Sequence, residues 1–226
     1  YSYVKIEGKI EYTEKTFISD FIDDNDLYDI VNIDPDTKRY YPYSNFASTI
    51  LGFTGAEDSG RAGLELEYND KLTGVAGRII TAKNARNGAM SSNFETTYDA
   101  KQGISLVLTL DKTIQYYLEK GLAQAVLDND ATSAYGIVME VETGAILAMA
   151  TMPDYDLNTP TIITDKEVLK ELDKIKDEEK YNLAYNNKIY SMWRNKAVSD
   201  TYEPGSVFKV FVAAAALEEG LVTPDY

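Results

Sequence analysis

Two residues in this sequence have the types and the spacing to do chemistry together, Ser206 and Lys209. A serine hydroxyl is a weak nucleophile until a nearby base takes its proton. The commonest base is histidine, and the 226-residue chain has none. A Ser-His-Asp triad and a histidine-ligated metal are therefore excluded. The chain has no cysteine either, which removes thiolate nucleophiles, disulfides and cysteine zinc sites. The bases left for a serine are lysine, tyrosine and carboxylates. Lys209 follows Ser206 by three residues, so on a helix the two share a face, about 5–6 Å apart at Cβ. Val207, Phe208, Val210, Phe211 and Val212 surround it with apolar side chains. Poor solvation favours a neutral amine over an ammonium, and a neutral amine is what a general base must be. A second Ser-x-x-Lys, from Ser2 to Lys5, has no such surroundings.

The elements around the pair must hold it in place. Pro204-Gly205 predicts a turn, with Ser206 in the first positions of the helix that follows. Free N–H groups and the positive end of the helix dipole stabilise negative charge there. The helix, Val207 to Leu217, is apolar around most of its circumference and is expected to be buried, with Gly220 placed to end it.

Upstream, Ile104 to Leu110 reads as a strand. Asp111 is placed to cap a helix in which Ile114, Leu118, Leu122 and Val126 form one apolar face. Two apolar runs within residues 134–152 flank Glu142-Thr143-Gly144 and predict a β-hairpin. Asp165 to Lys180 reads as one charged, exposed helix.

In the first hundred residues, Phe17 with Phe21 and Ile18 with Ile22 sit at helical spacing. The Asp23–Asp26 cluster lacks the alternating acids and glycine of a calcium loop and reads as a solvated helix end. Ser48 to Leu51 predicts a short helix closed by Gly52. The glycines at 52, 55, 60, 63, 74 and 77 do not follow a strand in GxGxxG spacing, so turns and tight packing account for them better than a phosphate cradle. The texture changes near Gly103, which divides the chain into residues 1–102 and 103–226.

The bulk numbers bound the answer. A hydrophobic fraction of 44% is enough for a core, and a net charge of −15 argues against nucleic acid as a partner. No run approaches the ~18–20 apolar residues of a membrane span. The chain starts at Tyr1 rather than Met, so an upstream segment is expected. No metal and no cofactor is called for.

The segment DTYEPGSVFK resembles the nucleophile segment of class B penicillin-binding proteins, whose superfamily carries Ser-x-x-Lys. LVLTLDKTIQ is similar to that family's entry into the transpeptidase domain, and GIVMEVETGAILAMATMPDYDLN to its first hairpin. RYYPYSNFASTILGFTG and GRAGLELEYNDKLTGVAGR resemble its pedestal, closest to septal-division and sporulation members. The resemblance implies an α+β chain: an elongated pedestal domain of the dimerisation type, then an incomplete penicillin-binding/serine β-lactamase-like transpeptidase domain, an antiparallel sheet with flanking helices. It implies Ser206 as acylated nucleophile, Lys209 as general base and the Ser206 N–H as one oxyanion donor. Its substrates are peptidoglycan stem peptides ending in D-Ala–D-Ala, which β-lactam antibiotics mimic. A lipid-linked-glycan polymerase is the implied partner, and a single-pass membrane anchor outside this chain the implied location. The family's Ser-x-Asn and Lys-Thr-Gly motifs belong downstream of the serine helix, and the chain reaches Tyr226 without them. It is therefore expected to be the front part of a longer enzyme, inactive alone.

Two other readings stay open. Residues 1–102 act as a non-enzymatic interaction module of the division or spore-wall machinery, or water rather than an amine accepts the acyl group, as in a carboxypeptidase or β-lactamase. The pedestal disfavours the hydrolases.

Overall fold

The computed structural model describes residues 4–34, 36–75, 77–81 and 95–225. The fold is α+β. The first helix, α1 (Tyr12–Asn25), forms where the Phe17/Phe21 and Ile18/Ile22 spacing predicts it, and Ile22 is its buried residue. Three short helices follow: α2 (Ser48–Leu51), α3 (Gly63–Glu67) and α4 (Asn69–Leu72). Gly52 ends α2 at φ 69°, as expected, and a Cβ there would lie 1.8 Å from the Ala62 carbonyl oxygen. Tight backbone approach, not phosphate binding, is what this glycine allows. Strands β1 (Arg78–Thr81) and β2 (Glu95–Tyr98) pair antiparallel. The Ser2–Lys5 match begins outside the described residues.

The helix α5 (Lys112–Asp128) starts at Asp111, whose carboxylate accepts from the N–H groups of Thr113 at 2.8 Å and Ile114 at 2.9 Å. The predicted cap is therefore present. Strands β3 (Ala134–Met139) and β4 (Ile146–Met152) form the expected antiparallel hairpin, with Gly144 in the turn at φ 76°. The apolar stripe of α5 lies on this hairpin: Leu118 and Leu122 reach Gly136 of β3, where a side chain would stand 3.0 Å from Leu118 Cδ1.

Three expectations need correction. Residues 104–110 do not form a strand, because a strand needs a partner along its length and this segment is bonded only near its two ends, Ile104 N donating to Lys71 O at 2.9 Å at the first and β4 lying beside the second. There Thr109 Oγ1 donates to Ile146 O at 2.6 Å and Asp111 N to Leu147 O at 2.8 Å. The charged stretch from Asp165 is two helices, α6 (Lys166–Leu172) and α7 (Glu178–Trp193), because Asp177 caps a new start by accepting from Lys180 N. They are not wholly exposed, since Leu172, Ile189 and Ile163 are buried together. After α8 (Lys196–Ser199), the apolar helix α9 (Lys209–Glu218) forms and closes near Gly220 as expected, but it is not buried. Val210 and Phe211 are 71% and 66% exposed, and no residue of α9 is buried, because no other described element lies over it.

The core joins both ends of the sequence. Tyr41, Phe53 and Ala62 are buried with Tyr155 and Leu157, and Met192 and Trp193 of α7 pack against them. The Phe53 ring lies 4.7 Å from Trp193 and 6.2 Å from Tyr155, both edge-on. Packing thus crosses residue 102.

Candidate active site

The segment that carries Ser206 begins where Trp193 ends α7. Arg194 pairs with Asp200 at 2.7 Å and donates to Ser199 O at 2.8 Å, which fixes the turn through α8. Residues 201–204 then have no regular structure, and Pro204 already takes helical backbone angles. Gly205 takes φ 58°, a left-handed conformation that glycine adopts without strain. A 3-10 turn, Gly205–Phe208, leads directly into α9. Lys209 N donates to Ser206 O. Residues three apart in such a turn lie on one side of it, so Ser206 and Lys209 share a face of a helix that starts at Gly205. The first N–H groups of a helix have no acceptor within it, and here Val207 N donates back to Pro204 O at 3.3 Å.

Ser206 and Lys209 are both exposed, as are Val207, Phe208, Val210 and Phe211 around them. The apolar enclosure expected for Lys209 is therefore not formed among the described residues. No group of acids that could hold a metal ion occurs among them, nor is any helix there long and apolar enough to cross a membrane.

Sequence reasoning missed a polar cluster at the edge of the hairpin. Gln115 of α5 is fully buried. Its Nε2 donates to Met149 O at 2.8 Å and its Oε1 accepts from Met149 N at 2.9 Å. The amide thus takes the place of a neighbouring strand at the outer edge of β4. Glu119 Oε1 accepts from Gln115 Nε2 and from Ala47 N, each at 2.7 Å. Burial pushes the Glu119 carboxyl above its ordinary pKa, and nearby Asp154 adds to the rise, against the two hydrogen bonds. Asp154 is raised by burial too, while Asn45 Nδ2 donates to it at 2.6 Å.

Further bonds seat residues 41–48 on residues 154–158. Asn158 exchanges two hydrogen bonds with the Tyr41 backbone, at 2.9 and 3.0 Å, and Tyr155 Oη donates to Ser48 O at 3.1 Å. The signal for this cluster was polar residues four apart beside an apolar stripe, which also fits a solvated helix edge. Beside it, a groove of about 950 Å³ runs along α5 past Tyr43, Tyr116 and Lys112; it contains neither Ser206 nor Lys209.

Comparison with known proteins places these features in a family. The penicillin-binding protein dimerisation domain matches residues 1–108, and the penicillin-binding protein transpeptidase domain matches residues 134–226. The chain belongs to the class B penicillin-binding proteins. Similar members include Stage V sporulation protein D of Bacillus subtilis, 32% identical over 84% of this chain. Peptidoglycan D,D-transpeptidase FtsI of Escherichia coli is 29% identical over 85% of it. The chain spans 26% and 28% of those two proteins. Among solved structures, penicillin-binding protein PBP2 of Helicobacter pylori, seen in complex with MreC, matches with a TM-score of 0.65. It is 25% identical, and the match covers 99% of this chain and 40% of that one. As a class B penicillin-binding protein, the chain combines the family's dimerisation or pedestal domain with part of its transpeptidase domain.

Proposed function

We propose that the whole protein to which this chain belongs is a peptidoglycan D,D-transpeptidase, with Ser206 as nucleophile and Lys209 as its general base. The observation that carries this reading is the Ser206–Lys209 pair. It shares one helix face just after Pro204-Gly205, within the stretch matched by the transpeptidase domain, in a chain without histidine. Ser206 Oγ attacks the carbonyl of the D-Ala–D-Ala peptide bond as the Lys209 amine takes its proton. The C–N bond breaks, the departing amine receives the proton, and D-Ala leaves an ester on Ser206. An amine of a neighbouring stem then attacks the ester, forming a new amide and restoring the serine hydroxyl. Donors at the helix start stabilise the oxyanion, the Ser206 N–H among them. β-Lactams acylate the same serine.

The division near residue 102 belongs to the same reading, with residues 1–102 as pedestal. The family's membrane-anchored members support an extracytoplasmic location for the described domains and an anchor in another part of the protein. They also support a lipid-linked-glycan polymerase as partner. The likeness to a protein solved with MreC favours a second reading, in which residues 1–102 serve chiefly to dock partner proteins.

The test is labelling of the whole protein with a fluorescent penicillin. Ser206→Ala and Lys209→Ala are each expected to abolish the label while the circular dichroism spectrum is kept. Retained labelling in either variant removes the assigned role, and an unlabelled wild type favours the docking reading.

A further inference from the structure

We infer that Gln115 and Glu119 are positioning residues that couple the seating of the loop at residues 41–47 to strand β4 and, through it, to the segment leading to Ser206. The mechanistic meaning of this coupling rests on Ser206 being the nucleophile; the coupling itself does not.

The loop is held in an unusual backbone. Ser44 and Ala47 have φ of 50° and 51°, left-handed values that strain a residue with a Cβ. Such a conformation persists only where its surroundings impose it. Ala47 is 2% exposed, and its N–H is bonded to Glu119 Oε1. The same oxygen accepts from the Gln115 amide and so fixes its orientation, oxygen toward Met149 N and nitrogen toward Met149 O. Releasing the loop takes one partner from Glu119. Glu119 is then free to move, and the Gln115 amide loses the bond that sets its rotamer at the edge of β4. From Met149 the contact continues: Asn195 Nδ2 lies 3.2 Å from Met149 Sδ. Asn195 O in turn accepts from Val198 N and Ser199 N, the turn of α8. Ser206 follows Ser199 by seven positions. The two arrangements, loop seated or released, form a two-state element to which each end of this chain of contacts is tied.

Coupling of this kind is reciprocal, which makes it measurable without any activity. Residue-resolved amide hydrogen exchange is compared for the whole protein and its variants Gln115→Met, Glu119→Met and Glu119→Gln. Methionine keeps the volume and removes the hydrogen bonds; glutamine keeps a side-chain oxygen that accepts. Gln115→Met is expected to speed exchange of Ala47 N–H, whose own acceptor is intact, by about fivefold or more. Glu119→Met is expected to speed Met149 N–H, whose own acceptor is also intact, by a similar factor, and Val198 and Ser199 N–H in both variants. Glu119→Gln is expected to stay near wild type. Amides of α7 serve as a control for global unfolding.

If each substitution changes only the amide it touches, or if Glu119→Gln behaves like Glu119→Met, the inference is overturned. If a methionine variant does not fold, Gln115→Asn and Glu119→Asp, which shorten the reach by one methylene, give the same comparison. In the whole protein, penicillin acylation is expected to slow about tenfold in the two methionine variants and to recover in Glu119→Gln. Reciprocal exchange effects with no labelling of the wild type contradict the reading of Ser206 while supporting the coupling.

Discussion

Glu119 shows how one carboxylate answers to three parts of the chain at once, and its protonation has a calculable sign. Its folded pKa lies above the ordinary carboxylate value because burial, helped by Asp154, outweighs two hydrogen bonds. An acid raised by folding contributes its stability below the unfolded pKa and loses it as pH rises through the folded value. Glu119→Gln is therefore expected to raise the urea midpoint at pH 7 relative to pH 4.5, flattening this part of the profile; a wild-type pH profile in the variant contradicts it. Tyr41 contributes to the alkaline limit together with Tyr155, whose hydroxyl burial also pushes up. Burial first, then the Glu65 carboxylate, pushes the Tyr41 hydroxyl up to about 12 from an ordinary 10.0. The unfolded chain loses this proton earlier, so stability falls between about pH 10 and 12. In Tyr41→Phe the fall in urea midpoint over that window is expected to shrink. The variant starts lower at pH 8, since Thr54 N loses the hydroxyl it donates to at 3.1 Å. The two residues differ in how visible they were. Ser206 and Lys209 could be paired because they are three positions apart, whereas Gln115 and Met149 are 34 apart in sequence.

At the scale of elements, what local chemistry decides was legible and what a distant partner decides was not. The Asp111 cap, the closure of α2 by Gly52 and the turn at Gly144 each depend on a few neighbouring residues, and each forms as read. Asp111→Ala is expected to cost about 1 kcal/mol, read as a shift in urea midpoint, because Thr113 N and Ile114 N lose their acceptor. An unchanged midpoint contradicts the role of the cap. The run from Ile104 to Leu110 has strand composition but is bonded to β4 only at its end, so it stays without regular structure. The helix at 165–180 failed as a single element for a local reason that was overlooked: Asp177 is as good a cap as Asp165. Helix α9 formed as expected, since Ala and Leu favour helix whatever surrounds them. Its burial did not follow, because burial requires another element over it.

Across the whole molecule, the core does not respect the order of the sequence. Phe53, from the dimerisation-domain half, is 4% exposed against Tyr155 and Trp193 from the transpeptidase half. Phe53→Ala is expected to cost about 3–5 kcal/mol and to loosen both halves together. Trp193 is the only tryptophan of the chain, so its fluorescence reports on this cluster directly. Its unfolding midpoint is expected to coincide with that of the far-ultraviolet circular dichroism in wild type and variant. Two separate transitions contradict a shared core. The same joint carries the loop at 41–47, whose Ala47 N–H is bonded to Glu119 and whose Asn45 is bonded to Asp154 just after strand β4. The central claim about Ser206 is covalent, and mass reads it directly. The whole protein is exposed to a penicillin, digested, and its peptides mapped by mass spectrometry. The account predicts one added drug mass, carried on Ser206 of the peptide containing TYEPGSVFK and absent in Lys209→Ala. A drug mass on any other residue, or none on a folded wild-type protein, contradicts it.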